Sequence, residues 1–107
     1  MSTKSTLLPI HTSGNTWCGV DYFIKNNSQP LDLTNVEASM YLKGIGNNNK
    51  YKLDLVIKNP LLGEIGIPKQ IINWEEDNYN YEVIFSFPNG DRLTFVRGIF
   101  PIESGLQ

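Results

Sequence analysis

Residues 80–100, NYEVIFSFPNGDRLTFVRGIF, constrain this chain more than any other stretch. Two β-rich runs flank Pro88-Asn89-Gly90-Asp91, and Asn-Gly is a strong hairpin signal because both residues accept the positive φ of a tight turn. On the first arm Tyr81, Val83, Phe85 and Phe87 fall on one face. On the second, Leu93 and Phe95 point one way until Arg97-Gly98 interrupts the alternation. A hairpin this apolar is marginal alone in water, so the rest of the chain must cover it.

The remaining segments supply that cover as strands. Thr16 to Lys25 alternates with Cys18, Val20, Tyr22 and Ile24 on one face, and the Asn26–Pro30 stretch reads as a turn. In Val36–Lys43, Val36, Ala38, Met40 and Leu42 face in, while Glu37, Ser39, Tyr41 and Lys43 face out. A Gly/Asn loop follows, and Tyr51, Leu53, Leu55 and Ile57 then define the inner face of a single strand. Gly63 to Ile67 carries Ile65 and Ile67 inward and stops at Pro68. Lys69 to Trp74 is the one stretch with helical character, a turn or two at most. Pro101 marks an edge or the end of regular pairing.

Short strands separated by turn signals every ~8–12 residues, with almost no helix, predict an all-β fold. The expected architecture is an antiparallel Ig-like β-sandwich of about seven strands with at most one short helical turn. At 107 residues the chain reads as one domain. Its expected parts are an extended N-terminal arm over 1–15, the sandwich over 16–102 and a loose C-terminal tail over 103–107. Leu7, Leu8 and Ile10 would dock the arm on a neighbour or make a first edge strand. The expected core is Val20, Tyr22, Val36, Ala38, Met40, Leu53, Leu55, Ile65, Tyr81, Val83, Phe85 and Phe95.

The sequence offers little chemistry. His11 is the sole histidine and Cys18 the sole cysteine, so a transition-metal site of the usual ligands has too few members in one chain, and no internal disulfide can form. Cys18 reads as a small strand hydrophobe. Glu75-Glu76-Asp77 lacks the alternating oxygen ligands and central glycine of a calcium loop and reads as a solvated turn. No metal, cofactor or catalytic residue is expected, and the chain is not expected to be an enzyme. A net charge of −2 and pI near 5.2 give no basic footprint for nucleic acid. Lys43, Lys50, Lys52 and Lys58 surround one hairpin, but Asp54 interrupts them, and they read as a solvated face. No apolar run has the ~18 residues of a membrane span, and Leu7-Leu8-Pro9-Ile10 is too short for a signal peptide core. Trp17, Tyr41 and Trp74 are the candidate contact residues. They suit a protein interface, packing in the core or under the arm, or a glycan platform.

One ordered set of motifs carries a resemblance. Gln29-Pro30-Leu31-Asp32-Leu33-Thr34-Asn35 followed by Val36-Glu37-Ala38-Ser39-Met40 resembles the opening of small Ig-like domains encoded among phage tail genes. Tyr79-Asn80-Tyr81-Glu82-Val83-Ile84-Phe85, Pro88-Asn89-Gly90-Asp91-Arg92-Leu93 and Gly98 are similar to the later strand, turn and glycine of those domains. The N-terminal domain of phage baseplate upper proteins is the family meant, and the resemblance spans roughly residues 16–102. It implies a non-enzymatic structural accessory protein of a phage or prophage tail. Such a protein would act through protein–protein contacts with a tail or baseplate component or with itself as a homo-oligomer. Its expected place is the virion, or the host cytoplasm before assembly. A carbohydrate-binding or adhesin-type domain, and an inhibitor or immunity-type protein using Glu75–Asp77, are the alternative readings.

Overall fold

The computed structural model describes residues 4–105, with the side chains of residues 4–7 and of Phe95 outside the description. Any docking of Leu7 and the expected core place of Phe95 therefore lie outside the described residues. The chain opens along a sheet edge as β1 (Lys4–Leu7) and β2 (His11–Thr12), then forms β3 (Thr16–Trp17) and β4 (Val20–Phe23). A small hairpin of β5 (Lys25–Asn26) and β6 (Gln29–Pro30) leads to β7 (Glu37–Gly44), β8 (Lys50–Asp54) and β9 (Val56–Asn59). A 3₁₀ turn over Pro60–Leu62 precedes β10 (Glu64–Ile67) and β11 (Gln70–Ile71). The two longest strands, β12 (Asp77–Ser86) and β13 (Arg92–Glu103), form the hairpin that dominates the sequence.

The larger sheet has the order β1-β13-β12-β7-β8, with β2 also on β13, and the smaller has the order β4-β10-β9. Pairing is antiparallel except that β1 and β2 run parallel to β13. This is the expected all-β sandwich, with β4, β10 and β9 in one layer and β1, β13, β12, β7 and β8 in the other. Met40, Tyr81, Val83, Phe85, Val96 and Phe100 from the large sheet, and Ile65 from the small one, are fully buried between the layers. The phenol oxygens of Tyr22 and Tyr81 meet across the layers at 3.5 Å, and burial pushes the Tyr22 hydroxyl far up, so it stays protonated.

Four local readings of the sequence are corrected, each by a backbone event. Gly19 has φ +81 and sits against the carbonyl of Ile67, where β3–β11 pairing gives way to β4–β10. The kink shifts the phase of the strand, so Trp17 is buried and Cys18 exposed, the reverse of simple alternation. Tyr51 to Ile57 is not one strand: at Leu55 the chain leaves β7 and crosses to the other sheet, where β9 pairs with β10. The helical turn falls at Pro60–Leu62, whereas Gln70–Ile71 pairs with Thr16–Trp17. In β13 the interruption comes at Phe95, since Val83 pairs with Val96 and the next pair is Ile84–Thr94. Val96, Phe100 and Ile102 then become the inward residues.

Strand β13 also runs through Pro101 instead of ending there. The carbonyls of Ile99 and Glu103 both accept hydrogen bonds from the arm, from the N–H groups of Leu8 (3.0 Å) and Ser13 (2.8 Å). Alternation puts the missing N–H of Pro101 on that same side, in the gap between β1 and β2, where no partner needs it. The arm itself lies in the fold, with Leu8 and His11 buried and Ile10 exposed.

The turns divide the positive-φ work unexpectedly. At Asn89-Gly90 only Gly90 is positive, at φ +95, in a turn closed by Gly90 N–H to Phe87 C=O at 2.9 Å. The turn with two positive centres is Asn27 (φ 53) and Ser28 (φ 66), between β5 and β6. Serine pays a steric penalty there that glycine does not. Ser28→Gly is expected to raise the unfolding free energy by about 0.5–1 kcal/mol in a urea melt; a loss of stability would mean the Ser28 side chain contributes more than its backbone costs.

Candidate functional site

The residues that stand out chemically lie on the outer face of β7, β8 and β12. Tyr41 is flanked in sequence by the fully buried Met40 and nearly buried Leu42, so strand alternation turns its ring outward, 39% exposed. Register sets Tyr41 between Lys52 of β8 and Glu82 of β12, and sets Lys43 between Lys50 and Asn80. These six residues form two parallel rows across three strands. A hollow of about 380 Å³ lies among Tyr41, Lys43, Lys50, Asn80 and Glu82, floored by Leu42 and Tyr51. The Lys52 ammonium stands 5.9 Å from the centre of the Tyr41 ring. Charge is divided across the hollow: lysines on β8 and the central β7, an amide and a carboxylate on β12.

One end of this face is closed by the Asp77 carboxylate. It accepts the N–H groups of Gly46 (2.7 Å), Asn47 (2.8 Å) and Asn78 (2.8 Å), tying the β7–β8 loop to the start of β12. Asn47 Nδ2 donates to the Tyr79 hydroxyl at 3.1 Å, and that hydroxyl donates to the Glu75 carbonyl at 2.6 Å. Asn47 N–H above all, with Gly46 and Asn78 adding, holds the Asp77 carboxyl below its ordinary value, against the opposing pull of burial. The charged form is thus the one the fold favours. Its contribution is present above the ordinary aspartate value of about 3.9 and is lost as pH falls through the lower folded value. Amide exchange at Gly46 and Asn47 is expected to quicken across that acidic window beyond the intrinsic trend. Asp77→Asn should quicken it already near neutrality; unchanged protection would leave the loop held by other bonds.

The aromatic candidates do not share one surface. Trp17, 9% exposed, packs against Phe100 with ring centres 5.0 Å apart, and is a core residue. Trp74 stacks on Tyr51 at 4.1 Å and 4° and approaches Phe100 at 6.2 Å, so its ring is largely committed to packing. Tyr41 opens onto the outer sheet face, and Trp74 is partly exposed beside Ser13 and Glu76. His11, read from sequence as lying on a loose arm, is buried and donates Nε2–H to the Asn15 carbonyl at 3.1 Å. The acidic turn is tied into the fold by more than Asp77: Glu75 accepts from Asn49 Nδ2 and Glu76 from the Ser104 N–H, each at 3.3 Å.

Other hollows carry less. One of about 390 Å³ beside Cys18 and Gly66 is crossed by the Lys58–Asp21 ion pair at 2.9 Å, which raises the Lys58 ammonium above its usual value. Another, of about 460 Å³, opens between Ser13, Trp74, Glu76 and Ser104. Among the described residues no group of three or more His, Cys, Asp or Glu is placed to hold a metal ion, and no helix is long and apolar enough to cross a membrane. The outward set of Tyr41 and Lys43 is legible from alternation, but their partners Lys50, Asn80 and Glu82 depend on strand register. Lys58, grouped with the other lysines by sequence, belongs to the opposite sheet. No family model, curated protein or solved structure matches this chain.

Proposed function

We propose that this chain is a non-enzymatic contact domain, an accessory part of a phage or prophage tail that binds a larger tail component or further copies of itself. The supporting observation is where the fold leaves large apolar side chains in water. On the three-stranded sheet and the turn entering its central strand, Phe23 is 60% exposed, Val56 49%, Leu61 70% and Leu62 48%. Covering such surface gains about 25 cal/mol per Å², so a partner here recovers what the isolated fold forgoes. The ordered motif resemblance supplies the tail setting.

Light scattering on the full chain and on a Phe23→Ser, Leu61→Ser variant tests the reading. The full chain should be a defined oligomer, or bind a tail component, and the variant should lose that contact while keeping its circular dichroism. A strict monomer that captures no tail component would overturn it. Cutting the chain before Thr16 is a poor test, because β1 and β2 are strands of the large sheet and Leu8 and His11 are buried with them.

A further inference from the structure

We propose that the hollow on the outer face of β7, β8 and β12 binds a carboxylated sugar, with its carboxylate between Lys43 and Lys50 and its hydroxyls on Asn80 and Glu82. This is a second contact, separate from the apolar residues of the three-stranded sheet.

Lys43 and Lys50 are directly opposed across the β7–β8 ladder. Like charges in that position repel, and among the described residues the ion pairs are Lys52–Asp54 and Lys58–Asp21, so neither Lys43 nor Lys50 has a carboxylate partner. An anion placed between them turns the repulsion into two attractions. The neighbouring row supplies what a bare anion would not use. Asn80, opposite Lys43, presents both a donor and an acceptor, and Glu82, set between Tyr41 on β7 and the exposed Arg97 on β13, presents acceptors only. A ligand reaching from Lys50 to Asn80 spans two strand spacings, about 10 Å.

The Glu82 carboxylate decides the ligand class. An acidic peptide brings further carboxylates close to it, and the like charges repel. A carboxylated sugar brings one anionic group for the lysines and several O–H donors for Glu82. Its ring also has an apolar face that can lie against the exposed Tyr41 ring. The volume of about 380 Å³ falls at the small end of ligand sites, suited to one or two sugar units. The groove is open to water, so each exposed charge contact is worth little and affinity in the millimolar range is expected.

Backbone amide spectra of the full chain, titrated at constant ionic strength, give the test. The probes are galacturonic acid and its trimer, N-acetylneuraminic acid, glucose, sodium acetate and a pentaglutamate peptide. Saturable shifts confined to Tyr41, Lys43, Lys50, Asn80 and Glu82 are expected with the acidic sugars and not with glucose or acetate. Lys43→Gln with Lys50→Gln should weaken binding at least about fivefold, as should Glu82→Gln for the sugars alone. These side chains are exposed, and an otherwise unchanged spectrum verifies that each variant is folded. An equal response to acetate would make this a general anion site and overturn the proposal. Binding of pentaglutamate in place of the sugars would make it a peptide-docking face and also overturn it, as would the absence of any saturable shift.

Discussion

Phe100→Ala is expected to lower the unfolding free energy by about 3–5 kcal/mol, a large part of the ~5–15 kcal/mol that holds a domain of this size. The ring is fully buried and lies where three otherwise separate pieces of chain converge. Its centre is 5.0 Å from Trp17 on β3, 6.1 Å from His11 on β2 and 6.2 Å from Trp74 ahead of β12. Alanine would remove the surface on which the arm and both tryptophans rest, and rigid strands on either side limit how far the cavity can collapse. Urea unfolding followed by tryptophan fluorescence reads the effect. Phe23→Ala, at a ring 60% exposed, is the control and should stay within about 1 kcal/mol of the parent. Equal losses at the two sites would refute the assignment of Phe100 as the centre of packing.

Gly19→Ala is expected to be as damaging for a backbone reason, costing more than about 3 kcal/mol or preventing folding outright. The residue has φ +81, and an added Cβ would collide with the Ile67 carbonyl oxygen on the paired strand. A strand backbone cannot swing aside as a flexible side chain would. Gly90→Ala separates the two contributions. Gly90 has φ +95 but nothing within 4 Å of its Cβ position, so it carries only the conformational cost of about 1–2 kcal/mol. If the two variants melt together, the close approach of Gly19 to β10 contributes nothing.

These two sites also mark where sequence reading works and where it stops. The alternation of β7 and of β12 up to Phe85 was legible because neither strand has a kink there: Val36, Ala38, Met40, Leu42, Tyr81, Val83 and Phe85 are all buried as their spacing requires. Beyond a kink the parity rule inverts. Gly19 turned Cys18, expected as a small strand hydrophobe, into water and left Trp17 buried, and the bulge at Phe95 passed the inward role to Val96, Phe100 and Ile102. The division of residues 50–59 between two sheets left no mark on their pattern, since Leu53 and Ile57 face the same core from opposite layers. The outer hollow was half legible for a related reason. Periodicity says that Tyr41 and Lys43 point out, but only the pairing across a loop says that Lys50 stands opposite Lys43. Charge pattern alone gave the lysines a common face, and topology removed Lys58 from it.

The parallel seam between the arm and β13 governs how the domain would bear a load. Lys4 lies beside Val96 and Thr12 beside Glu103, so chain entering before Lys4 and chain leaving after Glu103 depart from opposite ends of the seam. Tension between those two points slides β1 and β2 along β13, and the hydrogen bonds of the seam must yield together. Tension applied between Glu76, ahead of β12, and the chain after Glu103 would instead part β12 from β13 one bond at a time, because Asp77 lies beside Ile102. Single-molecule pulling should therefore give a higher rupture force end to end than from Glu76 to the C-terminal side, and equal forces would discount the seam as a mechanical clamp.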